Sequence, residues 1–222
     1  MISVLLLFAL IAALPAEAAA PRSSAPLKVV AFGDSLTSGH RLPLKDAYPA
    51  VLEKKVKAAG LPFSVINQGV SGDTTAGALR RLDRALEEKP QILIVELGVN
   101  DGLRGVPIPQ IKANLAKIID RGAGAERRGV ALRDGGAAAP GLAIHHRISQ
   151  DDRGPRAEYG VPLVPFVMNG VLGNPDMISD DGVHPNAAGA RYIAGTIWEY
   201  LEPMARKLLE QDPLSSTTLD KR

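Results

Sequence analysis

Apolar segments and amphipathic segments alternate along most of the chain. We predict buried strands at three short apolar runs, each followed by glycine or polar residues: 27–32, 63–67 and 91–97. Apolar residues at helical spacing predict helices over 48–59, 75–86, 109–119 and 186–209. Apolar strands that alternate with helices are typical of a parallel sheet covered on both faces. The pattern therefore predicts one α/β domain over residues 27–209.

The alternation fails between residues 122 and 157. This interval is rich in Ala, Gly and Arg and holds no apolar run of strand length, although compact domains rarely contain so long a structureless segment. Two interpretations remain open. Either the interval is translated out of frame, with compensating shifts near Asp120 and Glu158, or it is a disordered insertion with a short strand at 142–148. The first would leave an unstable or catalytically impaired product. Regular structure resumes with a strand-like segment at 159–166.

The first 20 residues are typical of a signal peptide. An apolar run over 4–15 precedes Ala16-Glu17-Ala18, a small-x-small cleavage pattern. The run is shorter than the ~20 residues that span a bilayer. We therefore expect a periplasmic or secreted protein without a stable membrane span after signal removal. A retained apolar tail docked on the domain is the alternative. Residues 210–222 form a polar tail that is expected to be disordered.

Composition excludes several functional classes. The chain has 222 residues, a formal net charge of +2 and no dense run of Lys or Arg, which argues against nucleic-acid binding. It contains no cysteine, so disulfides, thiolate catalysis and thiolate metal sites are excluded. The candidate chemistry therefore lies with serine, histidine and acidic residues.

Ser35 is the candidate nucleophile. It follows the first predicted strand through Gly33 and Asp34, at a carboxyl strand end, where α/β proteins place reactive groups. A serine hydroxyl becomes an effective nucleophile when it is held rigidly and hydrogen-bonded to a base. The amino end of the following helix favours developing negative charge. An ordinary helix N-cap, for which Asp-Ser is a common choice, is the alternative.

His184 is the candidate base, and Asp181 is its candidate carboxylate partner. One loop can deliver both groups: the carboxylate fixes the ring tautomer, and the other ring nitrogen accepts the serine proton. Asp180 is a rival with a less favourable spacing, and a plain surface turn would also contain Asp-Gly. The other histidines are predicted to be solvated: His40, His145 and His146.

Two further positions offer hydrogen-bond donors for a tetrahedral oxyanion. Gly72 follows the second strand, where glycine lets its backbone N–H approach a ligand closely. Asn100 follows the third strand and offers a side-chain amide. A turn glycine and a helix cap are the ordinary explanations of these residues. Their joint placement, one after each strand beside the strand of Ser35, favours an oxyanion hole.

Four sequence blocks carry a family resemblance. They are Gly33-Asp34-Ser35-Leu36, Ser71-Gly72-Asp73, Gly98-Val99-Asn100-Asp101 and Asp181-Gly182-Val183-His184-Pro185. In this order they resemble the SGNH hydrolases, also called the GDSL esterases and lipases. The chain is most similar to the bacterial arylesterase, acyl-CoA thioesterase and lysophospholipase group. The resemblance covers about 27–119 and 158–201.

The resemblance implies a flavodoxin-like three-layer α/β/α sandwich, the SGNH hydrolase fold, whose fourth strand would fall in the anomalous interval. It implies hydrolysis of carboxylic esters or thioesters with short to medium acyl chains through an acyl-serine intermediate. The implied partner is a small-molecule acyl ester or thioester, and neither a metal nor a cofactor is implied. Deacetylation of carbohydrate O-acetyl esters remains an alternative, and nothing in the sequence indicates an oligomeric state.

The resemblance also implies roles for individual residues. Ser35 would attack the substrate, His184 would move the proton and Asp181 would orient His184. The implied oxyanion donors are the Ser35 backbone N–H, Gly72 and Asn100. The implied acyl-pocket loop comprises Leu103, Arg104, Gly105, Val106 and Pro107.

Overall fold

The structure, a computed structural model, describes residues 25–123, 164 and 166–211. Its strands are β1 (Leu27–Gly33), β2 (Phe63–Gly69) and β3 (Ile92–Glu96). Its helices are α1 (Ser35–Ser38), α2 (Tyr48–Ala58), α3 (Thr75–Glu87), α4 (Val99–Leu103), α5 (Ile108–Gly122) and α6 (Ala187–Gln211), with a 3-10 helix at Leu44–Asp46. The predictions for the signal peptide, for 124–157 and for the tail beyond residue 211 lie outside the described residues.

β1 is the central strand of the described sheet, in the order β2-β1-β3, and it pairs in parallel with both neighbours. The register places Gly33 opposite Gly69 on one side and opposite Glu96 on the other. The carboxyl ends of the three strands therefore lie at one level, and the loops that follow them begin side by side. The predicted parallel sheet is confirmed.

Helices cover both faces of the sheet, because successive side chains of a strand point to opposite sides. Val29 and Ala31 of β1 belong to a buried cluster with residues of α2 and α6. Val30 and Phe32 belong to a second cluster with residues of α3 and α5. This arrangement confirms the three-layer α/β/α fold.

Local sequence signals set several helix ends. Thr74 accepts a hydrogen bond from a backbone N–H of the first turn of α3, and Asn186 accepts from two backbone N–H groups of the first turn of α6. α5 begins directly after Pro107 and has Pro109 in its first turn, where the missing proline N–H costs no helix hydrogen bond.

Two helices end two or three residues beyond the prediction, whereas the other predicted helix ends lie within one residue of those in the structure. α5 continues to Gly122 instead of ending at Ile119, and α6 continues to Gln211 instead of ending at Leu209. Residues 210 and 211, predicted to begin the polar tail, therefore belong to α6. Glutamate and glutamine are good helix formers, whereas Pro213 disfavours a helical conformation in the residue before it.

The segment predicted to be strand-like at 159–166 is described only at Val164 and Phe166. Both residues lie outside regular secondary structure, and Val164 is buried in the cluster that contains α2 and α6. The fourth strand that the family resemblance implies falls on residues outside the described part of the chain. None of the described helices is both long enough and apolar enough to cross a bilayer.

Candidate active site

Ser35 is the first residue of α1, directly after the turn that ends β1. Asp34 is the N-cap of this helix, and its side chain accepts a hydrogen bond from the Leu36 backbone N–H at 3.1 Å. A Cβ on Gly69 would lie 2.1 Å from the backbone nitrogen of Ser38, so β2 needs glycine where α1 packs against it. These contacts hold the Ser35 hydroxyl at the carboxyl edge of the sheet.

Three candidate residues form a hydrogen-bonded series. The Ser35 Oγ atom lies 3.0 Å from His184 Nε2, and His184 Nδ1 lies 2.8 Å from Asp181 Oδ2. Asp181, rather than its rival Asp180, therefore faces the ring. The side chains of His184 and Asp181 are 22% and 20% exposed. Both side chains are therefore half-buried and remain accessible to solvent.

The loop that carries Asp181 and His184 is held by its own hydrogen bonds. Asp181 Oδ1 accepts from the backbone N–H groups of His184 at 2.9 Å and Val183 at 3.0 Å, and the Ser179 hydroxyl donates to the His184 carbonyl at 2.7 Å. The two backbone hydrogen bonds, from His184 and Val183, hold the pKa of the Asp181 carboxyl well below its usual range. Asp181 is therefore ionised at neutral pH and favours the His184 tautomer with a proton on Nδ1.

Gly72 and Asn100 lie in the segments on either side of Ser35. Gly72 follows β2 and has a φ of +79°, a conformation that favours glycine. Asn100 lies in α4, directly after β3. Because β2 and β3 flank β1 in register, these segments start at the same edge of the sheet as Ser35. The structure thus places both predicted donors at the sheet edge that carries the nucleophile.

A buried carboxylate orients the Asn100 amide. Asn100 Nδ2 donates a hydrogen bond to Asp34 Oδ2 at 2.9 Å, while the other carboxylate oxygen accepts from Leu36. An ionised carboxylate can only accept, so the amide nitrogen rather than the amide oxygen faces Asp34. The second N–H of that nitrogen is then available to an oxyanion. The sequence predicts Asp34 only as part of the connection to Ser35 or of an Asp-Ser helix cap, because its partner Asn100 lies in a distant segment.

Asp34 belongs to a network of buried polar groups. Burial raises the pKa of Asp34 to about 6, against the lowering effect of hydrogen bonds from its neighbours. Glu96 Oε2, at the end of β3, accepts from the Thr37 hydroxyl at 2.7 Å, and the Tyr48 hydroxyl lies 2.9 Å from the same Thr37 oxygen. This network joins β3, α1 and α2 beneath the candidate site.

Arg81 of α3 is a structural residue that sequence analysis missed. Its guanidinium donates to Asp73 Oδ2 at 2.7 Å and to the backbone carbonyls of Gln68 at 2.7 Å and Gly33 at 2.9 Å. One side chain therefore joins the ends of β1 and β2 to the segment that carries Gly72. No local motif links an arginine within a helix to two strand ends, so the sequence held no signal for this contact.

Asp101 has a comparable role beside Asn100. Its buried carboxylate accepts from the Thr75 backbone N–H at 2.8 Å and from the Thr75 hydroxyl at 2.6 Å. Asn114 of α5 donates to the same hydroxyl at 3.1 Å. α4 is thereby joined to α3 and α5, which fixes the backbone of Asn100.

His40 lies against the candidate base. The ring centroids of His40 and His184 are 4.4 Å apart, and His40 Nδ1 lies 3.2 Å from the Ser71 hydroxyl. His40, predicted to be solvated, is half-buried in the structure, because the chain reverses at Gly39 after α1 and returns the ring to the site. His145 and His146, the other histidines predicted to be solvated, lie outside the described residues.

Arg41 approaches the carboxylate of Asp181 from solvent. Arg41 Nη1 lies 3.7 Å from Asp181 Oδ2, and the arginine backbone has a φ of +61°. Its neighbour His40 forms, with Asp181 and His184, a group of potential metal ligands whose ligand atoms lie within 4.8 Å of one another.

The predicted acyl-pocket loop, Leu103 to Pro107, leads from α4 to α5. Leu103 is 60% exposed, whereas Val106 is half-buried against the cluster that contains α3 and α5. The Arg104 guanidinium donates to the carbonyl of Gly72 at 2.9 Å. The loop therefore lies beside one of the candidate oxyanion donors.

The chain is similar in sequence to known ester hydrolases. Residues 31–192 match the GDSL-like lipase/acylhydrolase family. The chain is 34% identical over 177 residues to an arylesterase from Vibrio mimicus, covering 78% of this chain and 86% of the relative. It is 33% identical over 184 residues to thioesterase 1/protease 1/lysophospholipase L1 of Escherichia coli K12, covering 82% of this chain and 87% of the relative.

The fold is also similar to solved structures of such enzymes. The crystal structure of TesA superposes with a TM-score of 0.72 at 31% sequence identity, covering 80% of this chain and 99% of that chain.

Asp34→Asn tests the role of Asp34 as a positioning residue. One oxygen of the carboxylate is lost as an acceptor, so kcat should fall by about 10- to 100-fold, the value of a hydrogen bond to a charged group, with little change in KM. In the wild-type protein kcat should also fall as the pH drops through about 6, because protonation of Asp34 removes the acceptor that orients Asn100. The variant should lose this contribution to the pH profile, measured from pH 4.5 to 8.

Asp120→Asn, at an exposed position on α5, is the matched control for the change of charge. Asp34 does not orient the Asn100 amide if Asp34→Asn and the control have the same kcat and the same pH profile.

Proposed function

We propose that this chain, which belongs to the GDSL-like lipase/acylhydrolase family and is an ester-hydrolysing serine hydrolase, uses Ser35 as nucleophile, His184 as general base and Asp181 to orient His184. The observation that carries the assignment of residues is the series from Ser35 to Asp181, with distances of 3.0 and 2.8 Å. Serine, imidazole and carboxylate in this order are the groups that acyl transfer requires.

The proposed reaction begins with attack of Ser35 Oγ on the acyl carbonyl carbon. His184 Nε2 accepts the hydroxyl proton, and Asp181 stabilises the imidazolium that forms. The carbonyl oxygen becomes an oxyanion that accepts hydrogen bonds from the Ser35 backbone N–H, Gly72 and Asn100. When the tetrahedral intermediate collapses, the bond to the leaving oxygen or sulfur breaks and His184 returns the proton to it. The product of this half-reaction is an acyl-serine.

The second half-reaction repeats these steps with water. His184 removes a proton from a water molecule as the water attacks the acyl-serine carbonyl, and the same donors hold the second oxyanion. Collapse releases the carboxylic acid, and His184 returns the proton to Ser35 Oγ. Because Asp34 fixes the Asn100 amide before substrate binds, the oxyanion site needs little reorganisation during the reaction.

We propose small-molecule esters and thioesters with short to medium acyl chains as substrates. Relatives that cover most of this chain carry the names arylesterase and thioesterase 1/protease 1/lysophospholipase L1, which supports both oxygen and sulfur leaving groups. Leu103, exposed in the loop beside Gly72, offers an apolar contact for the acyl chain.

We also propose that residues 1–20 direct export and are removed, which makes the mature enzyme periplasmic or secreted. The apolar run over 4–15 and the Ala16-Glu17-Ala18 pattern support this proposal.

Ser35→Ala tests the assignment of the nucleophile. Hydrolysis of p-nitrophenyl butyrate and of a butyryl thioester should both fall by roughly 10^4- to 10^6-fold in kcat, because the variant cannot form an acyl-serine. Ser64→Ala, on β2 away from the hydrogen-bonded series, is the matched control and should retain activity. Equal rates in wild-type protein and Ser35→Ala would refute the mechanism.

Leu103→Ser tests the acyl-pocket loop with a panel of p-nitrophenyl esters from acetate to decanoate. Loss of apolar contact should lower kcat/KM for butyrate to octanoate by about 3- to 10-fold and leave acetate nearly unchanged. Leu44→Ser, which replaces an exposed leucine outside the loop, is the control, since Leu44 is 78% exposed. A uniform decrease for all esters would contradict contact between Leu103 and the acyl chain. If the wild-type protein, assayed also on acetylated sugars, hydrolysed them in preference to these esters, the proposed substrate class would be wrong.

Expression of the full chain in a bacterial host tests export. The protein recovered from the periplasm or medium should have an intact mass that lacks the first 18 to 20 residues, as cleavage after the small-x-small pattern predicts. Recovery in the cytoplasmic fraction with the complete N-terminus would contradict the proposal.

A further inference from the structure

His40, Asp181 and His184 offer a second chemistry at the candidate site. Each provides one ligand atom, and in the described part of the chain these atoms lie within 4.8 Å of one another. Two imidazoles and a carboxylate suit Zn²⁺, which binds histidine nitrogen and carboxylate oxygen at about 2.0–2.2 Å. Ligand atoms around a tetrahedral zinc are roughly 3.4 Å apart. Side-chain rotations that move the three ligand atoms by about 1 Å would therefore bring all of them within reach of one ion. We propose that these three residues form an inhibitory zinc site.

The position of His40 favours binding without movement of the backbone. Its ring already packs against His184, with the centroids 4.4 Å apart. The Ser71 hydroxyl contacts His40 Nδ1 at 3.2 Å, so the other ring nitrogen is the proposed zinc ligand. A hydrogen bond on the second nitrogen is the usual arrangement for a metal-bound histidine. The side chains of His184 and Asp181 are partly exposed, so an ion can enter from solvent.

Zinc at this site disables the base through either ring nitrogen of His184. Zinc on Nε2 occupies the lone pair that would accept the Ser35 proton. Zinc on Nδ1 displaces the proton that Asp181 accepts, and this proton is released to solvent. Three protein ligands leave the fourth zinc position to water. Zinc binding rests on the geometry alone, whereas inhibition also rests on the proposed function.

Arg41 opposes the ion. Its guanidinium lies 3.7 Å from Asp181 Oδ2, and the side chain is 65% exposed. Repulsion between the guanidinium and the metal is screened by solvent at this exposure. Arg41→Ala should therefore tighten zinc binding by only about two- to fivefold.

Calorimetric titration of ZnCl2 into tag-free Ser35→Ala protein tests binding separately from catalysis. This background keeps all three ligands, and we expect one zinc ion per chain. Adding His40→Gln or His40→Phe should weaken binding by at least about tenfold, since one ligand is lost. His40→Phe retains a ring beside His184, and thermal melts of both variants report whether the fold is intact. The chain has 4 histidines, so the control replaces the other two, with His145→Gln and His146→Gln together.

Inhibition is measured on p-nitrophenyl butyrate hydrolysis by protein that retains Ser35. Zinc should inhibit this protein reversibly, with activity restored by EDTA. The His40 variants should need at least about tenfold more zinc for the same fractional inhibition, each relative to its own rate without metal. The double variant at residues 145 and 146 should respond as the wild-type protein does.

The outcomes separate the two proposals. Unchanged zinc binding in folded His40 variants, or loss of binding in the control at residues 145 and 146, would overturn the zinc site. Zinc binding that depends on His40 but leaves hydrolysis unaffected would overturn its inhibitory role. Failure of the proposed function would instead appear as hydrolysis that does not require Ser35, while zinc binding stays intact.

Discussion

Parallel pairing of β1 with β2 and β3 at one level is the constraint on which the candidate site depends. Gly33 lies opposite both Gly69 and Glu96, so the three segments that follow begin at the same edge. Ser35, Gly72 and Asn100 each lie only a few residues beyond that edge, which leaves little freedom in their backbone positions. A shift of one strand along its neighbour would separate the nucleophile from a donor. The hydrolytic proposal therefore depends first on sheet register and only then on individual side chains.

The elements that position the site could be predicted because their signals are local. Apolar runs that end at glycine indicated the strands, and Asn186 and Pro109 marked helix starts. The contacts of Arg81, Asp101 and His40 could not be predicted, because they join side chains to partners in other elements through the tertiary fold. Arg81 and Gly33, for example, are 48 positions apart. The interval at 122–157 marks another limit, since periodicity carries no information where apolar residues show no regular spacing.

Two carboxylates of the site have opposite electrostatic environments. Burial raises the pKa of Asp34 to about 6, so its ionised form destabilises the fold above that pH, and this cost disappears as the pH falls from 6 towards the ordinary value of 3.8. Hydrogen bonds lower the pKa of Asp181, so Asp181 stabilises the fold above the ordinary value, and this contribution is lost as the pH falls through its folded value. At neutral pH both groups are ionised, which is the state that orients Asn100 and His184. The buried carboxylate is thus retained at some cost in stability.

The contacts of Asp101 have a consequence for how the protein could diversify. Thr75 and Asn114 connect α4 to two neighbouring helices, so the backbone before Leu103 is fixed by buried groups. Beyond Leu103 the chain becomes exposed, and among the described residues none outside the adjoining ones would lie within 4 Å of a Cβ at position 105. Mutations in this short exposed stretch can alter which acyl groups are accepted while the amide of Asn100 stays in place. Directed evolution of selectivity would therefore begin most productively there.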